Sequence, residues 1–301
     1  MPETRQRRAS AAALWAPLAR FIAIEAEIGH WAGKRRTTAF LYEFVRFGIK
    51  QAWACLFGGI MVGLIAATYA WYPRDAALSR YDFLFLAALA VQAAMLYFRM
   101  ETFEEAKVIL VFHVVGTAME VFKTATGSWT YPEHAFFRIG GVPLFSGFMY
   151  ASIGSYIARA WRLFDFQFTR HPALWALFLL SLAIYANFFA DYYGIDVRLG
   201  LFAAMALLFG RAWVHYRVWQ THRRMPLLVG LFLVALFIWI AENIGTLTKT
   251  WLYPHQRVGW SIVSLGKLSS WLLLLTISYA MVAAVNRPMA RGDEGRSSPL
   301  R

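Results

Sequence analysis

Eight apolar stretches, each close to the length that crosses a bilayer, constrain this chain more than anything else in it. They cover about 50–71, 81–99, 107–125, 143–162, 172–191, 198–216, 226–244 and 262–285. A helix needs ~20 residues to cross a ~30 Å hydrocarbon core, so the pattern predicts eight transmembrane helices. The expected fold class is therefore all-α, a polytopic membrane helix bundle. Composition agrees: 59% of residues are hydrophobic and 16% charged, with a mean hydropathy of +0.46. A soluble chain of 301 residues would carry more charge.

The net charge of +13 first suggests nucleic acid, but its distribution points to a lipid bilayer as partner. Lys and Arg fall at the ends of the apolar runs, and no basic groove interleaved with aromatics appears, so no nucleic-acid partner is expected. Of the 30 Lys and Arg residues, 22 fall on one side of the predicted spans. The positive-inside rule places that side, and both termini, in the cytoplasm. Residues 1–38 read as a basic arm followed by a weak interfacial helix, in which Trp15, Leu18, Ile22 and Ile28 would face lipid. A loosely packed extension is the plainer reading. Pro17, Arg20, Glu25 and Glu27 interrupt what would otherwise be a signal-peptide core. Residues 39–287 form the membrane domain, and 288–301 read as a disordered cytoplasmic tail. Cys55 is the one cysteine, which excludes an intramolecular disulfide.

A repeat runs through the membrane domain. Glu120, Thr124, Thr126, Trp129, Tyr131 and Pro132 recur as Glu242, Thr246, Thr248, Trp251, Tyr253 and Pro254, always 122 positions later. The expectation is two parallel four-helix repeats, about 50–163 and 172–285, related by a pseudo-twofold axis along the membrane normal. Both Trp-x-Tyr-Pro segments would then face the extracytoplasmic side.

The repeat also locates the chemistry. A carboxyl inside a span is costly and usually faces the bundle interior or a cavity. Glu120 and Glu242 are therefore the first catalytic candidates, with Lys123 and Lys267 as their cations. Lys123 follows Glu120 by three residues and shares its helix face, whereas Gly245 stands at the matching position of the second half. His113, seven residues before Glu120, projects from nearly the same face two turns deeper. It reads as a relay or as a hydrogen-bonded core histidine. No second His at three- or four-residue spacing suggests a metal site, and none is expected. Thr124, Thr126, Trp129, Tyr131, Arg138, Asn243, Thr246, Trp251 and Tyr253 join His113 as substrate-binding candidates near the helix exits. The plainer reading is a pair of salt bridges fixing helix register, with Trp, Tyr and Pro acting as interfacial anchors and helix stops. Glu101, Glu104 and Glu105 read as a solvated cytoplasmic helix face with local ion pairing. Arg211, His215, Arg217, His222, Arg223 and Arg224 read as a cytoplasmic basic stretch.

The segments Tyr42 to Leu56, Arg80 to Leu86, Glu104 to Leu110, Val115 to Tyr150, and Glu242 through Lys267 resemble an uncharacterised bacterial integral-membrane family that includes YoaT-like proteins. The resemblance implies an eight-span inner-membrane protein and supplies no activity. A shorter pattern, Glu120, Thr126, Gly127, Tyr131 and Gly141 to Leu144, is similar to one in membrane carotenoid hydratases. That likeness implies a protonating carboxyl at Glu120. Three readings follow. The first is a membrane enzyme using its carboxyls on a lipid or isoprenoid ligand. The second is a proton- or cation-coupled carrier of a small solute. The third is a non-catalytic membrane scaffold.

Overall fold

The computed structural model describes residues 27–29, 31–32, 34–73, 75–98 and 100–290. The expected basic arm, most of the interfacial helix and most of the tail lie outside the described residues. Two compact units are distinguished, ending and beginning at Ile49 and Lys50. In the first, Thr38 donates to the carbonyls of Ala32 and Arg35, and Arg46 donates to the hydroxyl of Tyr42 one turn earlier.

The chain forms α1 (Arg36–Ala54), α2 (Leu56–Trp71), α3 (Arg80–Tyr97) and α4 (Phe103–Ala125). A short hairpin follows, β1 (Arg138–Ile139) with β2 (Val142–Pro143), and then α5 (Phe145–Leu163). The second half contains β3 (Gln167–Thr169), α6 (Leu174–Ala190) and α7 (Arg198–Phe209). It continues through β4 (Trp213–Arg217), β5 (His222–Pro226), α8 (Leu227–Leu247) and α9 (Leu265–Asn286).

A helix stands at each of the eight predicted segments, but the all-α expectation needs correction. The seventh helix stops at Phe209, and Trp213–Arg217 turns into a strand of an antiparallel sheet ordered β3-β4-β5. The basic stretch is thus a β-hairpin, and His215 is buried with its ring nitrogen 2.8 Å from Thr169 Oγ1. Hydropathy averages over a window and does not see that Val214 and Tyr216 alternate with His215 and Arg217, the period of a strand. The span count is also smaller on strict criteria. Among the described residues four helices are long and apolar enough to cross a membrane: α3, α6 extended to Tyr193, α8 and α9. A fifth arises if α1 and α2 together count as one broken span.

Local chemistry explains the helix ends. Ser79 caps α3 by accepting from the Asp82 amide. Asp82 in turn accepts from the amides of Phe136 and Phe137 at 2.9 and 2.8 Å, which ties the loop before β1 to α3. Gly140 and Gly141, with φ of 56° and 84°, make the two-residue turn of that hairpin. Outside the helices, hydrogen bonding from the Arg198 side chain and amide holds the exposed Asp196 carboxyl at about 2. Because that value lies below the ordinary ~3.9, the pair's contribution should be complete above pH ~4 and lost as pH falls through about 2. NMR titration of Asp196 checks this directly.

The core is centred on α5 and α9. Helix α5 packs on α2, α3, α4 and α9, while α9 packs on α4, α5, α6 and α8. Small buried residues, Ala151 and Ala158 on α5 and Ala280 and Ala283 on α9, allow close helix approach. Large apolar side chains such as Leu182, Leu207 and Phe237 are exposed. The α4–α5 contact is close at Gly116, where an added Cβ would lie 2.6 Å from the Tyr150 ring. Gly116→Ala should therefore cost about 1–3 kcal/mol through overpacking. Gly59→Ala, with nothing within 4 Å, should be neutral or slightly stabilising because Ala favours helix. Chemical unfolding of both variants tests the contrast.

Candidate functional site

Glu120 ends a long apolar face of α4 and is buried. Its carboxylate accepts three hydrogen bonds, each 2.7 Å long. Trp129 Nε1 and Tyr131 Oη donate to Oε2, and Tyr150 Oη donates to Oε1. Glu242, near the end of α8, is equally buried. It accepts from Tyr253 Oη and from Trp271 Nε1. The turn after each helix thus sends a Tyr back to the carboxylate eleven residues before it.

The two carboxylates belong to one cluster. Trp129 and Tyr253 meet edge to face with centroids 6.1 Å apart, and Tyr150 contacts Trp271 at 5.9 Å. Lys267, in the first turn of α9, sits 4.7 Å from the Trp129 ring and 4.6 Å from the Tyr253 ring. It interacts electrostatically with both Glu242 and Glu120. Thr130 and Leu252, themselves 122 positions apart, exchange two backbone hydrogen bonds of 2.9 Å as an antiparallel bridge.

The halves differ where the sequence differs. The position matching Lys267 in the first half is Phe145, which packs against Tyr131 at 6.3 Å and shares its apolar cluster with Trp251. Trp251 does not donate to Glu242. Its ring lies over Gly245, where an added Cβ would come within 2.1 Å. Gly245 occupies the position of Lys123, so the missing side chain leaves the space that the indole fills. Trp271 supplies the indole N–H instead.

Lys123 corrects the expected wiring. Its ammonium is turned to Asp191 at 3.8 Å and lies over the Phe188 ring at 4.6 Å, rather than pairing with Glu120. Spacing of three residues shares a face but leaves a long side chain free to turn to either side. The threonines mostly serve their own helix ends. Thr126 donates to the Lys123 carbonyl, and Thr246 donates to that of Asn243 while receiving Trp260 Nε1. Thr124 Oγ1 is buried without a hydrogen bond. Asn243 accepts from the Val263 amide at 2.9 Å, fixing the segment that leads to Lys267. His113 packs against Phe148 with the rings tilted and their centroids 4.5 Å apart, and Arg138 lies exposed in β1.

Sequence reasoning missed Tyr150 and Trp271, since neither belongs to the repeated string. It also misjudged Glu101. Far from forming a solvated face, Glu101 is buried and paired with Arg159 at 2.9 Å. Ser155 and Gln92 donate to the same carboxylate, and Arg159 also donates to the Trp53 carbonyl. The available signal was Arg159 itself, a charge inside the span predicted for 143–162. Among the described residues no group of three metal-ligating side chains occurs.

These features define a helical protein with several helices suited to crossing a bilayer and two hydrogen-bonded carboxylates buried at their ends. The chain belongs to the family described as "Protein of unknown function (DUF817)", whose model matches residues 43–279. It is 43% identical over 245 residues to "Uncharacterized protein YoaT" of Bacillus subtilis (strain 168), covering 81% of this chain and 92% of that relative. No solved structure matches the chain. The likeness to membrane carotenoid hydratases is not among what these comparisons show.

Proposed function

We propose that this chain is an inner-membrane protein of eight helices in two parallel repeats, and that it carries a small solute coupled to a proton. The Thr130–Leu252 bridge supports the repeat reading, because residues at equivalent positions can pair in this way only close to a pseudo-twofold axis. The excess of Lys and Arg on one side supports cytoplasmic termini.

One observation carries the coupling role: among the described residues the two buried carboxyls share the ammonium of Lys267, whose other charged neighbours, Lys123 and Asp191, pair with each other. Burying an uncompensated charge is costly, so the set is best balanced when one carboxyl holds a proton. The carboxylate oxygens are already engaged by five donors from the chain itself. A substrate reaches them only if the cluster opens. This favours proton exchange linked to a conformational change over general acid–base attack on a docked lipid.

Proteoliposomes loaded with a pH-sensitive dye and challenged with amines, amino acids, sugars and carboxylates test the proposal. At least one class should drive proton movement that falls to background in Glu120→Gln and Glu242→Gln. Flux identical in wild type and both variants, or no proton movement with any class, rejects it.

A further inference from the structure

The Lys267 ammonium is held in an unusual way for a buried cation. Two aromatic faces flank it, those of Trp129 and Tyr253. Behind them the Trp129 indole is tied to Glu120 and the Tyr253 hydroxyl to Glu242. Val263 is buried in one apolar cluster with these two rings, and Trp239 and Phe188 pack against that cluster. Among the described residues the ammonium has no hydrogen bond and no ion pair; ring faces and more distant carboxylates hold it. Lys267 is only half-buried, and Ser264, Leu265 and Gly266 beside it are exposed.

Aromatic faces backed by carboxylates recognise one ligand chemistry, that of an organic ammonium ion. Here the chain supplies its own. We infer that this cage is a binding site for a small alkylammonium ion, and that Lys267 is a tethered occupant which an incoming amine displaces. Three features make displacement feasible. The resident cation forms no directional bond that must be broken. It sits on a four-carbon stem that can swing out. The neighbouring segment is open. Phe145 provides the contrast, since at the matching place in the first half an apolar ring fills the space beside Tyr131 and Trp251. Only one of the two places is therefore built for a cation. The inference rests on the carrier reading for its role in transport and names the solute class, an amine.

Binding of n-butylammonium is measured by tryptophan fluorescence and thermal shift in phosphatidylglycerol nanodiscs, which contain no amine, with butanol as the neutral comparison. Wild type should bind butylammonium and not butanol. Lys267→Ala should bind it at least ~10-fold more tightly, because the competing occupant is gone. Lys267→Gln, which keeps most of the side-chain volume, should bind more tightly than wild type if the alanine variant does not fold. Tyr253→Phe should leave the cage ring and weaken binding by loosening Glu242. Adding phosphatidylethanolamine separates two sources of the same chemistry: competition by the lipid assigns a headgroup amine, and its lack assigns a free one. If wild type and the folded Lys267 variants all bind butylammonium no better than butanol, the inference is overturned. Proton-coupled flux of a non-amine solute would leave the carrier reading standing without the cage. Amine binding without any flux would do the reverse.

Discussion

Arg159→Met is expected to destabilise the protein by about 3–5 kcal/mol, the range for breaking a buried ion pair from one side. The substitution removes the positive partner of Glu101 and leaves a carboxylate that is only 5% exposed. Ser155 and Gln92 would still donate to it, but neutral donors do not balance a buried charge. The Trp53 carbonyl would also lose its donor. A second replacement separates the loss of the pair from the loss of volume. Glu101→Leu with Arg159→Met removes both charges and should recover most of the deficit, since buried pairs are often replaceable by apolar groups. Reversible unfolding of the two single variants and the double variant in detergent gives the coupling energy. If Arg159→Met alone costs less than ~1 kcal/mol, the pair is hydrated and its burial is not as described.

At the other end of α4, Glu120→Ala and Glu120→Gln should differ sharply. Alanine strands three donors, the Trp129 indole and the Tyr131 and Tyr150 hydroxyls. Each unsatisfied buried donor costs ~1–3 kcal/mol, so the total should reach about 3 kcal/mol or more. Glutamine keeps one carbonyl oxygen for Trp129 and Tyr131, which share Oε2. Its amide then faces the Tyr150 hydroxyl, which can rotate to accept. Its cost should be close to ~1 kcal/mol. The glutamine variant is therefore folded but cannot take up a proton, which makes it the proper probe of function. Equal losses for the two variants would mean that Glu120 is held by its charge and not by this donor set.

Much of this arrangement was legible in the residues. A constant offset of 122 pointed to Glu120 and Glu242, and the Tyr at eleven residues beyond each was in the repeated string. The divergence at Lys123 and Gly245 was visible too, and it matters, because the absent side chain lets Trp251 pack on the helix. What could not be read was which way long side chains turn. Lys123 leaves Glu120 for Asp191, and Lys267 enters the space between two rings. Tyr150 and Trp271 reach the carboxylates from neighbouring helices, a tertiary contact that no spacing along one chain encodes. Glu101 misled for a related reason. A cluster of acidic residues at a helix start usually meets water, and only the packing of α5 brings Arg159 beneath one of them. The β4–β5 hairpin was hidden because its strand begins soon after an apolar helix ends at Phe209.

Coupling requires a proton shared by two carboxyls with one lysine between them. Infrared difference spectroscopy of a pH titration observes that proton directly through the C=O stretch of a protonated carboxyl. Wild type in nanodiscs at neutral pH should show such a band. It should vanish in both Glu120→Gln and Glu242→Gln, since either substitution leaves a single carboxylate to balance Lys267. A spectrum without any protonated carboxyl at neutral pH, or a band untouched by both substitutions, would contradict a shared proton.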